Sequence, residues 1–256
     1  MRKITSKDNK IVKLCEQLAQ KKHRDKLALY LIEGENLVEE AVKNGAGIQT
    51  VLVREGYSGK LSGLEEEAFE LDARLFDKLA QTETSQGIIA IVNKPQISRE
   101  QFIGDAGGNF VVLDRLQDPG NIGTIIRTAE GAGYKAVITV KGTGDVFSPK
   151  TIRAGAGSIF RMPILQVEDN HALRALTDKL EKKLVVTGFH TDKYYYDTDL
   201  SKGVALVIGN EGNGVSDELM EMADITVKIP MDGHLESLNA SVAAGILMYE
   251  TKRKRD

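Results

Sequence analysis

The stretch that most constrains this chain runs from Gly203 to Tyr249, where two strand-like segments each open into a polar or glycine-rich loop. VALVIG (Val204 to Gly209) is an unbroken apolar run of the kind that forms a strand buried on both faces. It leads directly into NEGNGVSDEL (Asn210 to Leu219). ITVKIP (Ile225 to Pro230) repeats the arrangement and delivers MDGHLESLNASVAAGILMYE (Met231 to Glu250), first a loop and then a helix of small residues. In an open α/β sheet, loops leaving the carboxyl ends of strands are where ligands bind.

The rest of the chain fits that class. At 256 residues it has room for two domains with real cores. The apolar fraction of 41% and charged fraction of 28% suit a soluble globular protein. No apolar run is long enough to span a bilayer. MRKITSKDNK lacks the apolar core of a signal peptide, so a cytoplasmic location is expected. A single cysteine, Cys15, excludes an internal disulfide, and its helical neighbours Ile11, Leu14 and Leu18 mark it as a buried thiol. The net charge of −3 conceals a basic N-terminal stretch in which Lys10, Lys13, Lys21, Lys22 and Arg24 outweigh a few acids. The chain closes on KRKR (Lys252 to Arg255). Either cationic end suits phosphate contact, or else a solvated helix face and a frayed tail.

Lys7 to Lys26 reads as an amphipathic basic helix, and Leu27 to Gly34 as a strand. Glu35 to Gly45 follows as a helix, and Ile48 to Glu55 and Gly87 to Lys94 as strands. Residues 1–100 thus form a small N-terminal α/β domain, and Pro95 to Gly108 is polar and glycine-rich enough to be a linker. A second α/β series occupies 107–256. It includes a strand over Asn109 to Asp114, a helix over Thr124 to Gly133 and a small-residue helix over Ser148 to Phe160.

No glycine pair extends to a dinucleotide fingerprint, and there is no P-loop. The four histidines, His23, His171, His190 and His234, lack metal-ligand spacing. DPGNIGTIIRTAEGAG says more: Pro119-Gly120-Asn121 makes a turn, Asn121 lies near a helix start, and Arg127 follows within two turns. That spacing lets both residues face one pocket, with an N-cap and a surface arginine as the plainer alternative.

Taken in order, NIGTIIR, VIGNEGNGVSDEL and IPMDGHLESLNASVAAGILMYE closely resemble the three motifs of the SpoU (TrmH-like) RNA methyltransferases. The resemblance covers roughly Phe110 to Tyr249. LIEGENLVEEAVKNG and FDKLAQTETSQGIIAIV resemble that family's N-terminal substrate-binding domain, similar to a ribosomal-protein fold. The resemblance implies a C-terminal α/β domain with a deep trefoil knot, and transfer of a methyl from S-adenosylmethionine to a ribose 2′-hydroxyl. Ribosomal RNA is the expected substrate, with transfer RNA as another. It further implies a homodimer joined through the C-terminal domain. No metal is expected, since a sulfonium methyl is already activated, and the hydropathy gives no membrane partner.

Carried over by position, the reaction-site residues are Asn121, Arg127, Glu211 and Asn239, with Ser237 and Ser241 beside the last. The cofactor is held largely by backbone at Gly209, Ile229 and Leu238, with Thr187 and Gly188 nearby. Lys10, Lys13, Lys21, Lys22, Arg24 and Arg153 are the expected RNA contacts. Glycine at 209 lets main chain approach the ligand, while Ala240, Ala243, Ala244 and Gly245 let the last helix pack closely. Arginine's pKa above about 12 makes Arg127 a better clamp for phosphate or alkoxide than a base. A water, Glu211 or the phosphate would take the proton. The competing reading is a non-catalytic RNA- or ribosome-binding module that keeps the fold; intact Asn121, Arg127, Glu211 and Asn239 favour the enzyme.

Overall fold

The computed structural model describes all residues except 62, 105–106, 189–190, 233–236 and 256, and the backbone alone at 100, 103 and 104. Two compact units emerge: Met1–Gln96 with Phe147–Phe160, and Ile97–Val146 with Arg161–Asp256.

The first unit carries β1 (Arg2–Ile4), α1 (Lys10–Leu18), α2 (Lys21–Leu27), β2 (Leu29–Glu33) and α3 (Glu35–Lys43). β3 (Ile48–Arg54), β4 (Ala68–Leu71), α4 (Ala73–Leu79) and β5 (Ile88–Asn93) complete it. Its mixed sheet has the order β1-β4-β3-β5-β2. β4 escaped the sequence pattern because it is four residues long and only its ends, Ala68 and Leu71, are buried.

The expected basic helix is two helices. α1 starts at the Asn9 cap, whose side chain accepts the Ile11 N–H at 2.8 Å. It buries Val12, Cys15 and Leu18 on one face. The chain then breaks at Ala19-Gln20, where Arg24 Nη1 donates to the carbonyls of Leu18 (2.6 Å) and Ala19 (2.8 Å). These are helix-end acceptors that would otherwise lack a partner. Burial pushes the Cys15 thiol up to about 12, the thiol of a core residue.

The second unit opens with α5 (Arg99–Gly104) and β6 (Phe110–Leu113), then α6 (Pro119–Gly131) and β7 (Ala136–Val140). Between β7 and β8 (Ile164–Val167) the chain makes α7 (Pro149–Gly155), which clusters with the first unit. The expected helix over Ser148 to Phe160 therefore differs in length and in place. α7 stops at a left-handed Ala156 (φ 45°), and a short 3-10 turn covers Ser158–Phe160. Next come α8 (Asn170–Lys179), β9 (Lys183–Thr187), β10 (Val204–Ile208), α9 (Asp217–Met222), β11 (Ile225–Val227) and α10 (Ala240–Arg255). The expected linker Pro95 to Gly108 is partly structured: α5 lies within it, and Phe102 is buried with its ring 5.5 Å from that of Phe110.

All six strands of this sheet are parallel, in the order β11-β9-β10-β6-β7-β8. Successive residues of a strand face opposite sides. Val111, Leu113, Leu206 and Ile208 accordingly enter one core with α6 and α10, while Phe110, Val112, Ala205 and Val207 enter the other with α8 and α9. The chain leaves β6 outward through β7 and β8, then returns on the other side so that β10 lies against β6. This reversal makes a switch point between β6 and β10, and their carboxyl-end loops are thrown together there. Among the described residues no helix is long and apolar enough to cross a membrane.

Candidate active site

Three loops meet at this end of the second unit. The first follows β6. Asp118 caps α6, its carboxylate accepting the Asn121 N–H at 2.8 Å, and Pro119 takes the first helical position, where its missing N–H costs nothing. Asp118, then, is the helix cap, and Asn121 sits in the first turn with its side chain turned inward and only 9% exposed.

The second loop follows β10. Asn210 and Gly214 exchange backbone hydrogen bonds at 2.9 Å, and the Asn210 side chain accepts from Gly212 N and Asn213 N while donating to the Arg115 carbonyl. A Cβ at Gly209 would stand 2.2 Å from the Gly214 carbonyl carbon. Glycine is needed at 209 because the loop folds back on it, a constraint that stands beside the expected role of admitting a ligand to the backbone. Buried Asp114 fastens the loop's far end, accepting the Ser216 N–H at 2.7 Å.

This fold-back delivers Glu211 to the first loop. Its carboxylate accepts from Gln117 N (3.1 Å), Asp118 N (2.9 Å) and Asn121 Nδ2 (3.2 Å). Asn121 Oδ1 in turn accepts from Asn239 Nδ2 at 3.0 Å. Asn239 Oδ1 then accepts Ser241 N (2.9 Å) and Ser241 Oγ (2.7 Å) at the start of α10. The chain of amides has one sense only: a carboxylate can only accept, so Asn121 must donate to it and receive from Asn239. Partial burial pulls the Glu211 pKa up, but the N–H groups of Asp118, Gln117 and Glu211 itself, with the Asn121 amide, outweigh it. The carboxyl is held below its ordinary value. A carboxylate so engaged is a clasp between the two loops.

Beside this relay lies a cavity of about 530 Å3 lined by the ends of β9, β10 and β11 and the start of α10. Thr187, Gly188, Gly209, Ile229 and Leu238, the five expected cofactor positions, all line it, as do Glu211, Ser237 and Asn239. The volume falls in the range of small-molecule sites. Its walls are mainly backbone and apolar side chains, with Lys228 the one cationic lining residue among the described residues and Glu211 already hydrogen-bonded. Such walls fit an adenosyl group better than a polyphosphate.

Arg127 is a correction. It is exposed, is absent from the cavity wall and has no hydrogen-bond or ion-pair partner among the described residues. Six residues along a helix turn the side chain about 120° away from Asn121, so the two do not share a face. Arg24 is another: it is 4% exposed and spent on the end of α1. Lys10, Lys13, Lys21, Lys22 and Arg153 are exposed, although Lys13 pairs with Asp8 at 2.8 Å and Lys21 with Asp25 at 2.7 Å. The KRKR tail is part of α10. Lys252 and Arg255 donate to carbonyls at the end of α6 and its following turn, and Lys254 donates to Tyr196 O and Thr198 O. Among the described residues no group of His, Cys, Asp and Glu could hold a metal; His190 and His234 lie outside them. Sequence reasoning missed Asp118, Asn210 and Lys228. Only Asp118 carried a signal, an Asp directly before Pro.

The parallel switched sheet and the cavity at its carboxyl ends define an α/β ligand-binding site, and the chain belongs to the SpoU rRNA methylase family, whose profile matches residues 108–249. Residues 9–90 match the MRM3-like substrate binding domain. The chain is 37% identical to the 23S rRNA (guanosine(2553)-2′-O)-methyltransferase of Bacillus subtilis, over 98% of this chain and 100% of that one. It is 31% identical to the 23S rRNA (uridine(2479)-2′-O)-methyltransferase of Streptomyces viridochromogenes, over 99% and 93%. Among solved structures, an AdoMet-bound rRNA methyltransferase from Sinorhizobium meliloti superposes with a TM-score of 0.88 at 32% identity, covering 98% of this chain and 97% of that one.

Proposed function

We propose that the protein is an S-adenosylmethionine-dependent RNA methyltransferase that methylates a ribose 2′-hydroxyl, with ribosomal RNA as substrate. The observation that carries this reading is the unbroken relay Glu211–Asn121–Asn239, which ties all three family motifs to the wall of one cofactor-sized cavity. S-adenosylmethionine, when bound, supplies a methyl already activated by a sulfonium. Thr187, Gly188, Gly209, Ile229 and Leu238 would hold it. The chain's part is to orient the ribose, and alignment is worth up to about 7–11 kcal/mol in the best cases. Glu211 keeps the two loops at fixed spacing. Arg127 clamps the RNA phosphate or the developing alkoxide, and a water or the phosphate takes the proton.

The finer expectations belong to the same reading. Residues 1–100, with Lys10, Lys13, Lys21 and Lys22, serve as the RNA-binding domain, and 107–256 as a knotted catalytic domain. A chain trace in which no loop encircles the last helix would overturn the knot. The enzyme works in the cytoplasm as a homodimer through α6 and α10. Two large apolar side chains of α10 lie open, Val242 at 51% and Tyr249 at 50% exposure. Sedimentation giving a monomer at micromolar concentration with cofactor binding intact counts against the dimer.

The activity itself is tested with ribosomal RNA from a strain deleted for the gene. One nucleotide should lose its resistance to alkaline cleavage, and the purified protein with labelled S-adenosylmethionine should restore it. Unchanged cleavage together with no transfer in vitro would favour the non-catalytic reading.

A further inference from the structure

KYYYD (Lys193 to Asp197), between β9 and β10, contributes to none of the three motifs, yet its backbone is firmly held. Tyr195 N donates to Lys228 O at 3.1 Å and Lys228 N to Lys193 O at 2.9 Å. Thr198 Oγ1 donates to Tyr194 O at 3.0 Å, and Lys254 Nζ to Tyr196 O at 2.6 Å. On this support the rings of Tyr194 and Tyr196 stack, with centroids 5.2 Å apart and planes 5° from parallel. Tyr195 meets Tyr196 edge-on at 5.1 Å and packs against the core below. Lys228 Nζ sits 4.9 Å from the Tyr194 centroid, and Lys228 also lines the cofactor cavity. From the cavity outward the order is therefore Lys228, Tyr194, Tyr196, and Tyr196 is 41% exposed.

An exposed ring fixed in a stack has already lost its freedom, so a flat partner can join it at little further cost. We infer that Tyr196, backed by Tyr194 and Lys228, is a stacking platform for an unpaired nucleobase of the substrate RNA, next to the nucleotide whose ribose is methylated. The inference rests on the RNA methyltransferase reading and names a specificity surface for it. Exposed aromatics beside a cation are how single-stranded RNA is held. Asp192, Asp197 and Asp199 share this stretch with Lys193, and Lys228 and Lys254 lie against it, so the charges are mixed and the open ring is the feature that suits a base face.

The test uses the full-length protein with Tyr196→Phe and Tyr196→Leu. The chain has seven tyrosines and no tryptophan, so the emission is tyrosine emission throughout, and the comparison with the variants isolates the part that Tyr196 contributes. Tyr196→Leu should raise the KM for unmodified 23S ribosomal RNA transcript by at least about fivefold. kcat and S-adenosylmethionine affinity should stay at wild-type values, and Tyr196→Phe should stay within about twofold in KM, since a phenyl ring retains the π-face. Short oligoadenylate should quench the emission of wild type and Tyr196→Phe, and quench Tyr196→Leu much less. An unchanged KM in Tyr196→Leu overturns the proposal. So does a shifted monomer–dimer equilibrium in Tyr196→Leu with RNA affinity per dimer intact, which would make the patch a subunit contact. If the wild type methylates no RNA, the activity reading fails by itself, and the oligoadenylate comparison still decides the platform.

Discussion

Asn121 is the residue through which the site is assembled, because one side chain answers both a carboxylate and a second amide. Asn121→Asp should set two carboxylates about 3 Å apart and raise the pKa of the pair. A raised pKa means the penalty is present at neutral pH and relieved as pH falls through it. The variant should therefore lose about 1–3 kcal/mol near pH 8 and less near pH 5, read by thermal unfolding against wild type at both values. An equal loss at both would mean the two side chains do not meet. Arg127→Ala acts differently. The arginine is outside the cavity wall, so methylation should fall by at least about a hundredfold while S-adenosylmethionine affinity stays within about twofold. Loss of both in equal measure would put Arg127 in the cofactor site. Arg24 and Lys22 make a paired test two residues apart. Arg24→Ala leaves the α1 carbonyls unanswered and should cost the fold about 1–3 kcal/mol by denaturant titration. Lys22→Ala should leave stability unchanged and weaken RNA binding, with a shallower salt dependence.

At the level of elements, the loop after β10 is the part with least tolerance. The carbonyl of Gly214 and the N–H of Val215 stand where a side chain on residue 209 would begin. Gly209→Ala should therefore cost about 1–3 kcal/mol, as overpacking does, and should also open the clasp made by Glu211. Denaturant unfolding together with calorimetric titration of S-adenosylmethionine would show both losses; normal cofactor affinity would uncouple loop from cavity. α10 carries a second constraint. It packs on α6 through buried Ala244, Leu247 and Met248, and buried Thr251 Oγ1 donates to Tyr134 Oη at 3.1 Å. Gly245, expected to be needed for close approach, is not: a Cβ there would meet Thr128 Cγ2 at an ordinary 3.9 Å.

For the whole molecule, the division of labour can be tested by cutting the chain, and the structure moves the cut. A fragment starting at Gly108 would lose Phe102, which is buried beside Phe110, so the fragment should start at Ile97. It also leaves Phe147–Phe160 without the unit it clusters with, exposing Ile152 and Ile159. Replacing those two with polar residues keeps the fragment soluble. The 97–256 fragment should bind S-adenosylmethionine normally and bind RNA more weakly, with a smaller salt slope than the full chain. Equal affinities and slopes would reduce the N-terminal domain to a structural cap.

What the sequence determined by itself was local or ordered along the chain. Apolar runs marked β6 and β10, and the three motifs, through the family resemblance, pointed to Asn121, Glu211 and Asn239. The five cofactor positions were carried over from the family resemblance, and all five line the cavity. What only the tertiary structure decided was which groups meet and which way they face. Lys22 and Arg24 are both basic residues of one short helix, yet one is open and the other answers carbonyls six and five residues back. Gly209 was expected as a ligand contact, and only the fold showed that the loop after it also turns back onto the place where a side chain would begin. Glu211 was one of three candidates for taking the proton, and the sequence did not show that two backbone N–H groups from a loop 93 and 94 residues earlier reach its carboxylate. Burial and hydrogen bonding are properties of neighbours in space, and this sheet brings together neighbours that lie far apart along the chain.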